Sequence, residues 1–143
     1  MERRRFLEYT GWALAGGGLV WVVSRFVRPQ PVTDLSRRIT VCSANELPGG
    51  AALHLPELNI HVLHGDSGLY ALSGRCSHLG CSVLKQPEGF SCPCHGGRFD
   101  QLGQPTAGPP TRPLTWVKLT IGADHTIVLH LDQQVEPGTI VRA

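Results

Sequence analysis

Four of the five cysteines and two of the seven histidines lie in one short stretch of the chain, residues 76–99. The stretch contains two boxes, C-S-H-L-G-C at 76–81 and C-P-C-H-G-G at 92–97. Thiolate and imidazole groups are the side chains that bind zinc and iron. Each box offers one cysteine and one histidine close together, plus a second cysteine that a four-ligand site does not need. The sequence therefore predicts a mixed sulfur and nitrogen metal centre with a spare pair of cysteines.

The order and spacing of the two boxes resemble those of the Rieske iron–sulfur proteins of cytochrome bc and bf complexes. The proline-rich segment of that family has a counterpart in Gly108-Pro109-Pro110. The resemblance implies a Rieske-type [2Fe-2S] cluster as the cofactor. It also implies a role for six residues: one iron held by Cys76 and Cys92, the other by His78 and His95, and a disulfide between Cys81 and Cys94. Such a disulfide requires an oxidising compartment.

Two neutral imidazoles in place of two thiolates remove negative charge from the cluster's surroundings. The reduction potential then rises from about −400 mV to between roughly −150 and +300 mV. Many high-potential members of the resembled family carry serine and tyrosine hydroxyls after the second box, where this chain has Gly97 and Phe99. Because both donors are missing, we expect a potential in the lower part of that range, suited to a low-potential quinol such as menaquinol. Replacing them together, as Gly97→Ser with Phe99→Tyr, should raise the midpoint.

Two other interpretations of the boxes stay open. A structural zinc ribbon uses the same donors, although zinc does not call for an additional cysteine in each box. A soluble Rieske ferredoxin or an oxygenase domain shares the ligand pattern, but such relatives generally lack the extra cysteine pair. The sequence therefore favours the quinol-oxidising branch.

The function implied by the resemblance is that of a membrane-anchored electron-transfer subunit of a quinol–cytochrome c reductase. It would take one electron from quinol beside a b-type cytochrome subunit and pass it to a c-type cytochrome. We expect His95 to face the quinol, within an apolar rim formed by Leu79 and the Pro109-Pro110 loop. The chain offers no constellation of a nucleophile with a general base, so any catalysis would belong to an assembly of which this chain is one part. One alternative is the small Rieske subunit of an arsenite-oxidase-type enzyme, and another is a zinc-stabilised interaction domain.

The N-terminal residues 1–27 are expected to form an anchor. Arg3-Arg4-Arg5-Phe6-Leu7 looks like a twin-arginine export signal, which would suit a protein exported after its cluster is inserted. The charge-free run Gly11–Val23 is short for a bilayer core of about 30 Å, whereas Phe6–Val27 would cross it as a single transmembrane helix. The head would then lie on the periplasmic side of the cytoplasmic membrane. A basic flank without signal function and a cleaved secretory peptide are the alternatives.

Residues 28–38, with Pro29 and Pro31, are expected to form an extended tether. The head, 39–143, is rich in glycine and proline and poor in aromatic residues, at 6%, which favours a mainly β, antiparallel domain with cluster-binding loops at about 74–113. A net charge of +2 gives no indication of a nucleic-acid partner. Alternating or apolar runs predict strands at 39–41, 51–55, 58–63, 69–72, 114–121, 126–131 and 135–141, and the alternating strands at 51–55 and 58–63 are expected to be half-buried. No metal-binding role is expected for His54, His61, His64, His125 or His130, and Cys42 is expected to be buried and apolar.

Overall fold

The computed structural model describes residues 2–27 and 37–142. The chain forms two compact units, Met1–Asp34 and Leu35–Ala143. Most of the tether predicted at residues 28–38 lies outside the described residues. Its last residue, Arg38, begins the first strand of the second unit.

The described part of the first unit, residues 2–27, forms the helix α1 (Glu2–Val27). Proline is absent from 2–27 and first appears at Pro29, where a helix interior would be broken. The predicted N-terminal helix is therefore confirmed. Across 2–27 and 37–142, no helix is both long enough and apolar enough to cross a bilayer.

The second unit is built from antiparallel strands, which confirms the predicted mainly β class. A six-stranded sheet has the order β1-β10-β9-β4-β3-β2, and a four-stranded sheet has the order β5-β6-β7-β8. The larger sheet comprises β1 (Arg38–Ser43), β2 (Ala52–Leu55), β3 (Ile60–Gly65), β4 (Gly68–Ser73), β9 (Trp116–Ile121) and β10 (Thr126–Val135). The smaller comprises β5 (Leu84–Gln86), β6 (Gly89–Cys92), β7 (Gly97–Phe99) and β8 (Pro105–Ala107), and a short 3-10 helix, Ala44–Glu46, follows β1.

The large sheet carries a different hydrophobic core on each of its two faces. Val62 and Ala71 face each other across β3 and β4 and belong to the first core. The neighbouring pair Leu63 and Tyr70 belongs to the second core. Side chains of successive residues in a strand point to opposite faces, so β3 and β4 are buried on both sides. The expectation of a half-buried, alternating strand at 58–63 was wrong, because the small sheet covers the second face.

The second core joins the large sheet to the small sheet and to the two boxes. From the large sheet it includes Tyr70, Leu72 and Trp116, all almost fully buried. From the small sheet and boxes it includes Cys76, Cys92 and the two aromatic residues Phe90 and Phe99, together with Val83 just before β5. The predicted metal-binding segment therefore rests on a packed apolar base rather than on isolated surface loops.

The C-terminal tail differs from the prediction of a separate short strand at 135–141. Val135 is the last residue of β10, whose pairing with β9 shifts register between His130 and Gln134. Val141 then makes a single bridge to Leu69, with both backbone hydrogen bonds at 2.8 Å. One bridged residue thus fastens the tail to β4.

Candidate metal centre

The two boxes close in the same local way. The first follows β4, and the N–H of Gly80 donates to the carbonyl of Cys76 at 2.9 Å. The second follows β6, and the N–H of Gly96 donates to the carbonyl of Cys92 at 3.1 Å. Both glycines have positive φ, 77° and 69°, a conformation that glycine adopts without steric cost. Each box is therefore a tight turn between its first cysteine and a glycine four residues later.

The two cysteines that begin the boxes are buried side by side. Cys76 is 4% exposed and Cys92 is 3% exposed. Burial raises the pKa of the Cys76 thiol, and the Cys92 thiol raises it further, while the N–H groups of His78 and Leu79 oppose the shift. A metal bound by these sulfurs would take them as thiolates, so binding would release protons.

The two box histidines meet on the outside of the same site. His78 and His95 are both exposed, and their ring centroids lie 5.1 Å apart with the planes inclined by 85°. One ring comes from each box. The boxes thus bring together two sulfur donors on the buried side and two nitrogen donors on the exposed side.

The disulfide Cys81–Cys94 joins the boxes and is confirmed, with a Cα–Cα distance of 6.6 Å. The carbonyl of Cys81 also accepts a 2.7 Å hydrogen bond from the N–H of Cys76. The sulfur atoms of Cys81, Cys92 and Cys94 lie within 4.8 Å of one another. Since two of these sulfurs are bonded to each other, they are not free thiolates. The disulfide therefore lies beside the Cys92 sulfur and offers no free thiol to a metal.

The proline-rich segment after β8 lies against both boxes. The hydroxyl of Ser77, in the first box, donates to the carbonyl of Arg112 at 2.6 Å. At the second box, a Cβ atom added at Gly108 would lie 2.8 Å from the carbonyl oxygen of Gly96. Sequence reasoning missed Ser77, whose only signal was its place inside the first box. The proline-rich segment therefore contacts both turns.

The three residues of the expected apolar rim differ in their exposure to solvent. Leu79 is 69% exposed, and Pro109 is exposed. Pro110 is instead buried, because its ring packs on the backbone of Gly97.

The histidines outside the boxes make other contacts. His54 and His61 stack with ring centroids 4.4 Å apart, and Nδ1 of His64 lies 2.7 Å from the carbonyl oxygen of Leu47. Nε2 of His130 lies 2.9 Å from the hydroxyl of Thr120. Cys42 is half-buried at the margin of the first core.

The donor set fits an iron–sulfur cluster with unlike irons. Two thiols can take one iron and two imidazoles the other, which is the ligand division of a Rieske centre. Zinc in a four-coordinate site would accept the same donors, so the geometry alone is compatible with both. Comparison with known proteins decides between them.

Residues 37–120 match the family model of the Rieske [2Fe-2S] domain. The chain is 39% identical over 152 aligned positions to the cytochrome b6-f complex iron-sulfur subunit of Synechococcus elongatus, covering 90% of this chain and 83% of that protein. It is 46% identical over 65 residues to the carotenoid phi-ring synthase of Chlorobaculum tepidum, covering 43% of this chain but only 10% of that protein. In a solved hyperthermophilic respiratory Complex III, a chain with 23% identity shares the fold, with a TM-score of 0.55 over 85% of this chain and 98% of that one. The chain therefore belongs to the Rieske [2Fe-2S] family, as a protein of the type found in cytochrome bc and b6f complexes.

Proposed function

We propose that this chain is the Rieske electron-transfer subunit of a quinol–cytochrome c reductase. In it, Cys76 and Cys92 hold one iron of the [2Fe-2S] cluster, and His78 and His95 hold the other. The observation that carries the proposal is the convergence of two buried thiols and two exposed imidazoles, one of each from either box. When bound, the cluster supplies a one-electron acceptor and donor with a potential above that of all-cysteine clusters.

The proposed sulfur ligands and the proposed nitrogen ligands differ in their exposure to solvent. The cysteines lie inside the second core, whereas both imidazoles reach the surface. A partner can therefore approach only on the histidine side. We assign His95 as the group that accepts a hydrogen bond from the quinol hydroxyl, since an exposed ring nitrogen can both accept that bond and hold a proton. Leu79 and Pro109 provide apolar contact for the quinol ring or for the wall of its binding site.

The quinol is assigned as a low-potential one such as menaquinol. Gly97 and Phe99 carry no hydroxyl, and both are buried, so neither side chain donates a hydrogen bond to the negative charge that an added electron brings. Hydrogen bonds to cluster sulfurs tune the potential of such sites. Redox titration of the purified protein should give a midpoint in the lower part of the Rieske range, and a midpoint near its top would overturn this assignment.

The proposed location is the cytoplasmic membrane, with the head on the periplasmic side and α1 as the segment that attaches the chain to the membrane. Two observations support membrane attachment. The sequence begins with a twin-arginine-like motif, and α1 carries apolar side chains that are at least 66% exposed within their own unit, among them Trp12, Leu14 and Trp21. Such side chains need a lipid or protein partner. A b-type cytochrome subunit and a c-type cytochrome acceptor are the partners that this arrangement requires.

The proposal is tested by purifying the protein from membranes together with its neighbours. We expect a brown protein with two irons and two sulfides per chain, a paramagnetic signal on reduction, and a b-type cytochrome in the same preparation. Cys76→Ala should remove iron and colour, while the matched variant Cys42→Ala should keep both. A colourless zinc protein would contradict the cluster, and a large molybdenum subunit in place of the cytochrome would contradict the host complex.

A further inference from the structure

Position 97 lies beside a cluster ligand and is closed to any side chain. Gly97 pairs with Cys92 across β6 and β7, and a Cβ atom added to it would lie 3.6 Å from the Cβ of Cys92. The same atom would lie 2.6 Å from Cγ and 3.0 Å from Cδ of Pro110. Gly97 is absent from the residues with positive φ, so its backbone does not itself require glycine. The ring of Pro110 is what excludes a side chain here.

The ring of Pro110 has little freedom to move away. Proline fixes its own φ, and the segment around it is held at both ends. On one side Gly108 has φ +84° and lies against the backbone of Gly96 and Gly97. On the other side the carbonyl of Arg112 accepts a 2.6 Å hydrogen bond from the hydroxyl of Ser77. The N–H of Leu114 donates a 2.8 Å hydrogen bond to the carbonyl of Gly103. The contact with Gly97 is therefore fixed by the fold of the whole segment.

This contact has a chemical consequence for the sulfur of Cys92. A serine at position 97 would place a hydroxyl next to the Cys92 side chain, where it could donate a hydrogen bond to the sulfur. Such a bond stabilises the more negative, reduced state and raises the potential. With Pro110 in place there is no room for that side chain. A single substitution at position 97 would therefore overpack the site and would not raise the reduction potential.

We propose that Pro110 is a positioning residue for the redox potential, because it occupies the space beside Cys92 that a hydrogen-bonding side chain at position 97 would need. This inference rests on the proposed function, since it assumes that Cys92 holds the cluster. It also revises the prediction from the sequence that Gly97→Ser with Phe99→Tyr should raise the redox midpoint. The position that must change together with Gly97 is Pro110.

The test uses the full-length, cluster-loaded protein and four variants: Gly97→Ser, Pro110→Ala, Gly97→Ser with Pro110→Ala, and Gly97→Ala with Pro110→Ala. For each we measure the redox midpoint, the thermal unfolding midpoint and the rate of iron loss to a chelator. Gly97→Ser alone should lose iron about fivefold faster or more, as overpacking implies, and should unfold at a lower temperature. Adding Pro110→Ala should reverse both losses. Only the serine-containing double variant should then show a clear upward shift of the midpoint.

The alanine-containing double variant is the matched control, because it fills the same space without a hydroxyl. An equal midpoint shift in both double variants would overturn the proposal, since the hydroxyl would then be irrelevant. A raised midpoint in stable Gly97→Ser alone would also overturn it, because Pro110 would not restrict position 97. Failure of the cluster assignment, on which this inference rests, is distinguishable, because the unsubstituted protein would then lack the iron and the paramagnetic signal before any variant is compared.

Discussion

His61 of the large sheet and Phe90 of the small sheet meet edge to face, with ring centroids 5.1 Å apart. The imidazole is 2% exposed, and neither of its nitrogens has a hydrogen-bond partner within the described part of the chain. The imidazole of His61 also stacks on the ring of His54. A buried, polar ring therefore lies at the junction between the two sheets, and its neighbour Phe90 is two residues along β6 from Cys92.

We predict that this junction makes the head less stable in acid. Burial lowers the pKa of His61, and the charges of His54 and Lys85 lower it further, while the nearby Val83 carbonyl opposes the shift. The folded state thus binds the proton less tightly than the unfolded chain, whose histidines titrate near pH 6.5. The stabilisation is present above about pH 6.5 and is lost progressively as the pH falls through and below that value.

The measurement is the free energy of unfolding of the loaded protein as a function of pH. His61→Leu should flatten the profile between about pH 5 and 7 relative to the unsubstituted protein. His125→Asn is the matched control, because His125 is exposed with φ 59°, a conformation that asparagine tolerates. An unchanged profile in His61→Leu would show that other groups cause the acid sensitivity.

The disulfide is predicted to hold the two boxes together in the loaded protein. It links residues 13 apart in sequence, and closing such a loop contributes about 3 kcal/mol in the chain-entropy account. The paired substitution Cys81→Ser with Cys94→Ser should lower the unfolding temperature and speed iron loss to a chelator. Because this variant could fail to fold, reductant should also be added to the loaded, unsubstituted protein. Cys42→Ser is the control for loss of a cysteine, and equal iron-loss rates with and without reductant would refute the prediction.

A third prediction concerns the proline-rich segment. Gly108→Ala combines an unfavourable φ of +84° with a Cβ only 2.8 Å from the Gly96 carbonyl oxygen, so a loss of roughly 2–4 kcal/mol is expected from strain and overpacking together. Gly138→Ala is the matched control, because it has φ +95° but no neighbour within 4 Å. It should lose only about 1 kcal/mol. Chemical denaturation of both variants distinguishes the clash from the backbone strain.

A fourth prediction concerns the exposed apolar residue beside the histidines. Leu79→Ser should slow electron transfer from quinol in membranes, because it removes apolar contact area of a side chain that is 69% exposed. The redox midpoint should stay within experimental error, since Leu79 contributes its backbone N–H and not its side chain to the Cys76 sulfur. Leu102→Ser, at a residue that is 42% exposed, serves as the control for an exposed leucine outside the boxes. Equal rates in both variants would remove Leu79 from the quinol-facing surface.

The composition of the site was predictable because its chemistry is local in the sequence. Each box carries a cysteine, a histidine and a second cysteine within six residues. The resemblance built on them led to the disulfide Cys81–Cys94 that the structure contains. The four ligand assignments stay predictions until iron is measured in the variants.

The contacts made by distant segments were not predictable. The strands β5 to β8 are three or four residues long, too short to show a clear period. The two-sided burial of β3 depends on the small sheet, and alternation in one strand carries no record of a second sheet. Pro110 was expected, together with Pro109, in the apolar rim around His95. The burial of Pro110 depends on its contact with Gly97. These two residues come together only when the chain folds.

Neighbouring residues of β3 belong to different cores, Val62 to the first and Leu63 to the second. The sheet between these cores therefore separates them, and we expect substitutions confined to one core to disturb the packing of the other core less than that of their own. A more heat-resistant protein could thus be sought by varying the first core alone. The boxes, which rest on the second core, would be kept unchanged.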